Sequence, residues 1–294
     1  MKSKLIFDDI LQRMNIYEVL RISRPRFWLY EAATFGLVGA VGAMQGLSFF
    51  TQWHYWIFAF YFLIPANILI YGVNDMFDYE TDKLNPKKGT YEELVTPEKN
   101  RMLWVWIGLT NIPFLFFVPS ARETMLSFII FLFFAFFYSA PPIRAKARPV
   151  IDSLFSAGHY VATGVFGYYL AGGIGFPVIG VIAGVSWAVA MHAYSAVPDI
   201  QADIAAKLKT IAIIIGAKRT IYFCWFLYVL AAYLVFESIP FASIAGLITF
   251  SYFMWRSSQA RSDAALFKIY TYFPLINTSV GALVSIELFI KNVI

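Results

Sequence analysis

The sequence predicts an all-α, polytopic membrane protein: nine transmembrane helices in a bundle, with cap loops on the cytoplasmic side. Three observations carry that prediction. The 294 residues are 60% hydrophobic and 14% charged, and a mean hydropathy of +0.64 lies outside the range of soluble domains. Apolar runs of roughly 20 residues, the length that crosses a bilayer, recur along the whole chain. The basic residues fall almost entirely on one side of the resulting topology, as those of cytoplasmic loops do.

Taken in order, the spans are expected at 27–50, 54–73, 102–119, 124–141, 152–172, 176–197, 219–236, 239–255 and 269–290. Residues 1–26 mix Asp8, Asp9, Arg13, Glu18 and Arg21 with apolar positions, which suits an amphipathic helix on the membrane surface and no cleavable signal before the first span. Placing the N-terminus, 74–101, 142–151, 198–219 and 256–268 on one side leaves only Arg122 and Lys291 opposite. That side therefore holds 21 of the 23 Lys and Arg, and losing one helix in the middle would scramble the asymmetry. The N-terminus and the acidic loops are thus expected in the cytoplasm and the C-terminus outside. The net charge of +5 follows from this topology, so the bilayer is the expected partner and nucleic acid is not. A single cysteine, Cys224, excludes a disulfide and a cysteine metal site, and its expected role is packing. Gly36, Gly39 and Gly42 in the first span, with Gly172, Gly173 and Gly175 after the fifth, suit close helix packing or tight turns.

The acidic residues are concentrated where two spans leave the membrane. After the second, VNDMFDYETDKLN (residues 73–85) places Asp75, Asp78 and Asp82 at i, i+3 and i+7, with Asn74 at i−4 from Asp78, all on one face of a continued helix. After the sixth, SAVPDIQADIAAKLKT (195–210) places Asp199 and Asp203 at i and i+4. Five carboxylates aimed at one cavity repel unless cations neutralise them. Oxygen-only ligands select hard ions, and sparse carboxylates combined with phosphate oxygens are a common way of holding Mg²⁺. Each group is followed by lysines, Lys83, Lys87 and Lys88 after the first and Lys207 and Lys209 after the second. That combination suits a phosphate ester bridged by metal ions, with Lys or Arg covering the remaining oxygens. A lone DxxxD is more often a solvated cap; two matched groups, four helices apart, make that reading a poor one.

These residues resemble the UbiA-type membrane prenyltransferases. Their NDxxDxxxD signature is matched by Asn74, Asp75, Asp78 and Asp82, and their DxxxD by Asp199 and Asp203. The resemblance covers essentially the whole chain. It implies one domain made of two similar four-helix halves, about 27–141 and 152–255, plus a ninth helix at 269–290, around a cavity that opens to lipid. It implies that Asn74, Asp75, Asp78, Asp82, Asp199 and Asp203 hold two Mg²⁺ ions, which bind a prenyl diphosphate. The loop FYSAPPIRAKARPVIDS (137–153) is similar to the family's Tyr-Ser-x-x-Pro-x-Arg-x-Lys segment. On that match Arg144 and Lys146 contact the diphosphate and Tyr138 stands near the reacting carbon. SRPRFW (23–28) resembles the family's Arg-Pro start, with Arg26 favoured over Arg24 as the arginine that reaches the cavity. With Asn74, Lys83 and Lys207 this completes the expected diphosphate set, and Asp78, Asp82, Asp199, Tyr138 and Lys146 are the expected catalytic residues.

The implied chemistry is ionisation of an allylic diphosphate, helped by metal and basic residues, to a cation kept from water by aromatic walls. Tyr71, Tyr138, Tyr160 and Tyr194 are the candidates for those walls. The acceptor is an apolar molecule from the membrane. The loops look most like the lycopene elongase branch, which adds a five-carbon unit from dimethylallyl diphosphate to each end of lycopene on the way to C50 carotenoids. An aromatic quinone precursor such as 4-hydroxybenzoate, a glycerol lipid, or internal cyclisation of a terpene are the alternatives. A transporter would place its carboxylates near the middle of the spans, where acids are nearly absent here, and the CDP-alcohol phosphotransferase motif is missing. His159 and His192 read as hydrogen-bonded structural residues, and His54 as part of an outer aromatic belt.

Overall fold

A computed structural model describes residues 14–44, 46–83, 88, 92–205 and 209–294. Of the expected surface helix, residues 1–13 lie outside the described residues, as do Lys87 and Lys207. What is described of it is α1, Ile16–Ile22, started by a capping box in which Asn15 and Glu18 exchange side-chain and backbone hydrogen bonds.

Among the described residues the other regular elements are helices, apart from one bridge between Lys88 and Glu92. The first predicted span is α2, residues 28–43, which is α-helical over Trp28–Ala33, widens to a π-helix over Thr34–Ala40 and closes over Val41–Ala43. α3 runs over Trp53–Asp82 and bends at Ile64, because Pro65 has no N–H to continue the ladder. Carbonyls at the bend are recovered by the Asn67 amide, which donates to the Phe62 and Leu63 oxygens at 3.0 Å each. Asn111 of α4 (Asn100–Leu115) donates to the Pro65 oxygen at 3.1 Å. Inside a membrane such internal partners are what make a proline bend tolerable. There follow α5 (Arg122–Phe137), α6 (Ile151–Leu170), α7 (Val178–Ser195), two short helices α8 (Ile200–Ala205) and α9 (Ile211–Ile215), then α10 (Ala217–Val235) and α11 (Pro240–Ser258). The chain ends in α12 (Asp263–Tyr270) and α13 (Phe273–Val293).

Among the described residues, four helices are long and apolar enough to cross a membrane: Trp53–Asp82, Val178–Ser195, Ala217–Val235 and Asp263–Val293. The protein is therefore read as an integral membrane protein. The other predicted spans correspond to helices that are shorter or less uniformly apolar. α4 and α5 have 16 residues each, and α6 buries Asp152, His159 and Thr163.

α6 lies at the centre, packed against α2, α5 and α7, while α13 packs against both α11 and α2 and closes the bundle. The α2–α6 contact is backbone to backbone. A Cβ on Gly39 would lie 2.0 Å from the Gly164 oxygen, and one on Gly167 would lie 2.2 Å from the Phe35 oxygen. Lipid supplies no hydrophobic drive between helices, so close approach through small residues is what holds such a pair. Around it lie two apolar cores. Phe35, Phe58, Tyr61, Phe62, Phe128, Phe131 and Phe166 interlock in one, and Tyr194, Tyr228, Phe250, Phe253 and Phe273 in the other. Trp53, Phe60, Tyr233 and Phe241 point outward, as residues facing lipid do.

Candidate active site

The C-terminal residues of α3 meet two loops. α3 continues helically through the whole acidic stretch, so Asp75 and Asp78 are turned inward and buried while Glu80 faces out. Arg24 precedes the first span and has a left-handed backbone, φ 51°, a conformation that costs a non-glycine residue of order 1–3 kcal/mol and concentrates at functional sites. That turn aims its guanidinium at Asp75 Oδ1, 2.9 Å away, at Asn74 Oδ1, 3.4 Å away, and at Glu92, 3.2 Å away. Its plane lies 4.5 Å from the centre of the Tyr71 ring. The Lys88 ammonium, nearly fully buried, stands 2.7 Å from Asp75, 2.8 Å from Asp82 and 3.7 Å from Glu92.

The loop between α5 and α6 supplies the other half. The Lys146 N–H donates to the Tyr138 oxygen at 3.0 Å and the Arg144 N–H to the Ala140 oxygen at 2.9 Å, which folds the loop back over the end of α5. Arg144 is also left-handed, φ 43°. The result is that Lys146 pairs directly with Asp78, and Arg144 bonds the Phe77 oxygen at 3.2 Å and reaches Asp78 at 3.5 Å. Ser139 accepts from the Asn74 amide at 3.0 Å and fixes its orientation. Burial pushes the Lys146 ammonium down to about 7, against the pull of the Asp75 and Asp203 carboxylates. The Asp203 carboxylate of α8 is thereby within electrostatic reach of Lys146. Asp199 and Asp203 are half-buried and joined by a helical hydrogen bond of 2.8 Å.

The arginine that reaches the acidic cluster is Arg24. Arg26, favoured on the sequence, is half exposed and pairs with Glu92 at the rim. Lys83 is on the outer side, paired with Glu80, and Lys207 lies outside the described residues. Two groups escaped sequence reasoning. Asp152, at the start of α6, is buried with Oδ1 accepting from the Ser153 N–H and Oδ2 3.9 Å from His192 Nε2. Glu31 of α2 is buried between His159 and Thr163 of α6, 2.5 Å and 2.8 Å away. A lone acid inside an apolar span is the signal that could have found it.

Among the described residues no group of three His, Cys, Asp or Glu converges as a metal cage. The buried donors at the end of α3 are all oxygens, which fits Mg²⁺: it takes one or two carboxylates and completes its shell with water and phosphate oxygens. Chemically, the arrangement offers hard-ion ligands and basic side chains at one end of a bundle whose interior is aromatic. Phe27 and Tyr71 pack at 5.7 Å, Tyr30 and Tyr160 at 6.4 Å, and Tyr160 and Trp187 at 6.3 Å.

A model of the UbiA prenyltransferase family matches residues 26–277. A lycopene elongase/hydratase of Haloferax volcanii is 35% identical over 270 residues, 90% of this chain and 86% of that protein. One from Halobacterium salinarum is 36% identical over 262 residues, 88% of this chain and 92% of that protein. Among solved structures, a UbiA homolog from Archaeoglobus fulgidus bound to GPP and Mg²⁺ superposes with a TM-score of 0.70 at 19% identity, over 92% of this chain and 99% of its own. The same homolog bound to DMAPP and Mg²⁺ gives 0.70 at 17% identity with the same coverage.

Proposed function

This chain belongs to the UbiA prenyltransferase family and is a membrane prenyltransferase, and from that premise we propose that it transfers the five-carbon unit of dimethylallyl diphosphate to lycopene. What carries this reading is the meeting of Asp75, Asp78 and Asp82 with Arg24, Lys88, Arg144 and Lys146 at one end of the bundle. The names of the relatives that match over about nine tenths of the chain support the choice of acceptor, and the bound GPP, DMAPP and Mg²⁺ of the homolog with the same fold support the choice of donor and ion. The spans number nine, in two four-helix halves and a last helix, with the N-terminus and the acidic loops in the cytoplasm and the C-terminus outside.

Asn74, Asp75, Asp78, Asp82, Asp199 and Asp203 would hold two Mg²⁺ ions, which would supply positive charge to the departing diphosphate. Arg144 and Lys146, now resting on Asp78, turn to the phosphate oxygens. Arg24 and Lys88 hold Asp75 and Asp82 in place, while Arg26 and Lys83 add positive charge that draws the donor in; Lys207, the other expected diphosphate contact, lies outside the described residues. Buried, preoriented charges of this kind act most strongly on charge that develops in the transition state. Tyr138, beside the Lys146 turn, and the rings of Tyr71 and Tyr160 face the allylic carbon and stabilise its positive charge. A double bond of lycopene then attacks that carbon. The tertiary cation left on the acceptor takes up water or loses a proton.

The test is release of diphosphate from dimethylallyl diphosphate by membranes holding the full chain, with and without Mg²⁺ and with and without lycopene. Release that requires both is the expected outcome. Release that is indifferent to lycopene removes it as the acceptor, and release indifferent to chelation of Mg²⁺ removes the metal site.

A further inference from the structure

The Glu31, His159 and Thr163 group stands apart from the acidic cluster and has no place in binding the diphosphate. Both oxygens of Glu31 are engaged: Oε1 with His159 Nδ1 at 2.5 Å, and Oε2 with the Thr163 hydroxyl at 2.8 Å. All three side chains are buried, Glu31 to 1% and Thr163 to 0% exposure, whereas His159 keeps 5%. With the imidazole proton on Nδ1, donated to the carboxylate, the lone pair of Nε2 is left as the acceptor. Among the described residues Nε2 has no hydrogen-bond partner. A carboxylate that fixes a histidine's tautomer and stabilises its charged form is the arrangement of a general base.

Its depth and surroundings suit one step of the reaction. His159 is seven residues beyond Asp152 at the start of α6, or about 10 Å along the helix. That carries it away from the Asp152 end of α6 and into the aromatic interior of Tyr30, Tyr160 and Trp187. The neighbouring Tyr160 ring lies 4.3 Å from the imidazole, and Tyr71, Tyr160 and Tyr61 are all within electrostatic reach of Glu31. A plain polar clasp between α2 and α6 would need neither an open imidazole nitrogen nor an aromatic wall beside it.

We infer that His159, held by Glu31, is the proton acceptor that ends the transfer, an inference that rests on the polyene-acceptor reading above. The C1–O bond of the donor breaks, its electron pair leaving with the diphosphate. A π pair of the polyene forms the new C–C bond and leaves a tertiary cation on the acceptor. His159 Nε2 then takes a proton. It comes either from the carbon beside that cation, whose C–H pair becomes the new double bond, or from the water whose oxygen adds to the cation. Glu31 stays a carboxylate throughout and stabilises the imidazolium, and the proton returns to solvent as the product leaves. Glu31 is the positioning residue in this step, through the oxygen that holds His159; Thr163 bonds only the other carboxylate oxygen and takes no part in it.

The experiment compares wild type, H159Q, E31Q and T163V as full-length protein in membranes, with dimethylallyl diphosphate, Mg²⁺ and lycopene. It reads the ratio of extended polyene formed to diphosphate released. In H159Q and E31Q the ratio falls at least about tenfold while diphosphate release continues, because the donor still ionises but the acceptor cation is not quenched productively; T163V keeps the wild-type ratio. E31Q conserves size and keeps one acceptor oxygen for the His159 N–H while removing the charge, and is read alone if H159Q does not accumulate. An unchanged ratio in E31Q overturns the assignment. So does a ratio that falls equally in T163V, the mark of a structural clasp. Failure of the reading beneath is distinct from both, since wild type would then release diphosphate without extending lycopene at all.

Discussion

Lys88 places its ammonium 2.7 Å from Asp75 Oδ1, with both side chains almost completely buried. The same ammonium reaches Asp82 at 2.8 Å, so one lysine bridges two residues of the NDxxDxxxD motif. A divalent ion binding those carboxylates has to compete with it.

Lys88→Met should therefore lose stability without Mg²⁺ and regain part of it with Mg²⁺. Removing one partner of a buried ion pair costs about 3–5 kcal/mol. In EDTA the variant should unfold several degrees below wild type in a thermal melt of detergent-solubilised protein. Millimolar Mg²⁺ should recover more of that loss than it adds to wild type. A variant whose melting temperature ignores Mg²⁺ would separate Lys88 from the metal ligands.

Asp78→Ala and Asp199→Ala should each lower turnover by at least about 100-fold, the scale of removing one preoriented electrostatic contact, while the bundle stays folded. Chelating Mg²⁺ from wild type should have the same effect. Near-normal diphosphate release by either variant would dismiss the two-motif site.

Arg24 and Arg26 should differ sharply although only two residues separate them. Arg24→Ala leaves Asp75 and Glu92 short of a buried partner and should both destabilise the protein and raise the KM for the donor about tenfold or more. Arg26→Ala removes a rim contact, half exposed, worth under about 1 kcal/mol. Melting temperatures and donor titrations of the pair settle the order.

Gly39→Val is a test of the fold alone. The added Cβ would sit 2.0 Å from the Gly164 oxygen, a clash that α2 can escape only by leaving α6. The expected result is loss of folded protein on size-exclusion chromatography in detergent, whereas Gly42→Val, with nothing within 4 Å of its added Cβ, should elute as wild type.

The sequence made the acidic motifs legible because their spacing is a property of one helix. Asp75, Asp78 and Asp82 share a face for local reasons, and α3 carries them without interruption. Arg24 was not legible in the same way, since its reach depends on a left-handed φ that no spacing encodes. Lys88 looked like one of three equivalent lysines until the chain's return brought it onto Asp75. Glu31 was hidden twice over, absorbed into an apolar span and paired with a histidine 128 positions away. Glycines 36, 39 and 42 were all read as packing residues. Gly39 meets the Gly164 backbone and Gly36 the Tyr55 hydroxyl, and Gly42 faces open space.

Transfer of a five-carbon unit to a polyene at this site is read from the products by mass spectrometry. Membranes holding the full chain are given dimethylallyl diphosphate and Mg²⁺ with lycopene in one vessel, and a longer prenyl diphosphate with 4-hydroxybenzoate in another. The expected products are lycopene heavier by one or two five-carbon units in the first vessel, with or without added water, and an unchanged aromatic acid in the second. Untouched lycopene beside a prenylated aromatic acid would contradict that transfer.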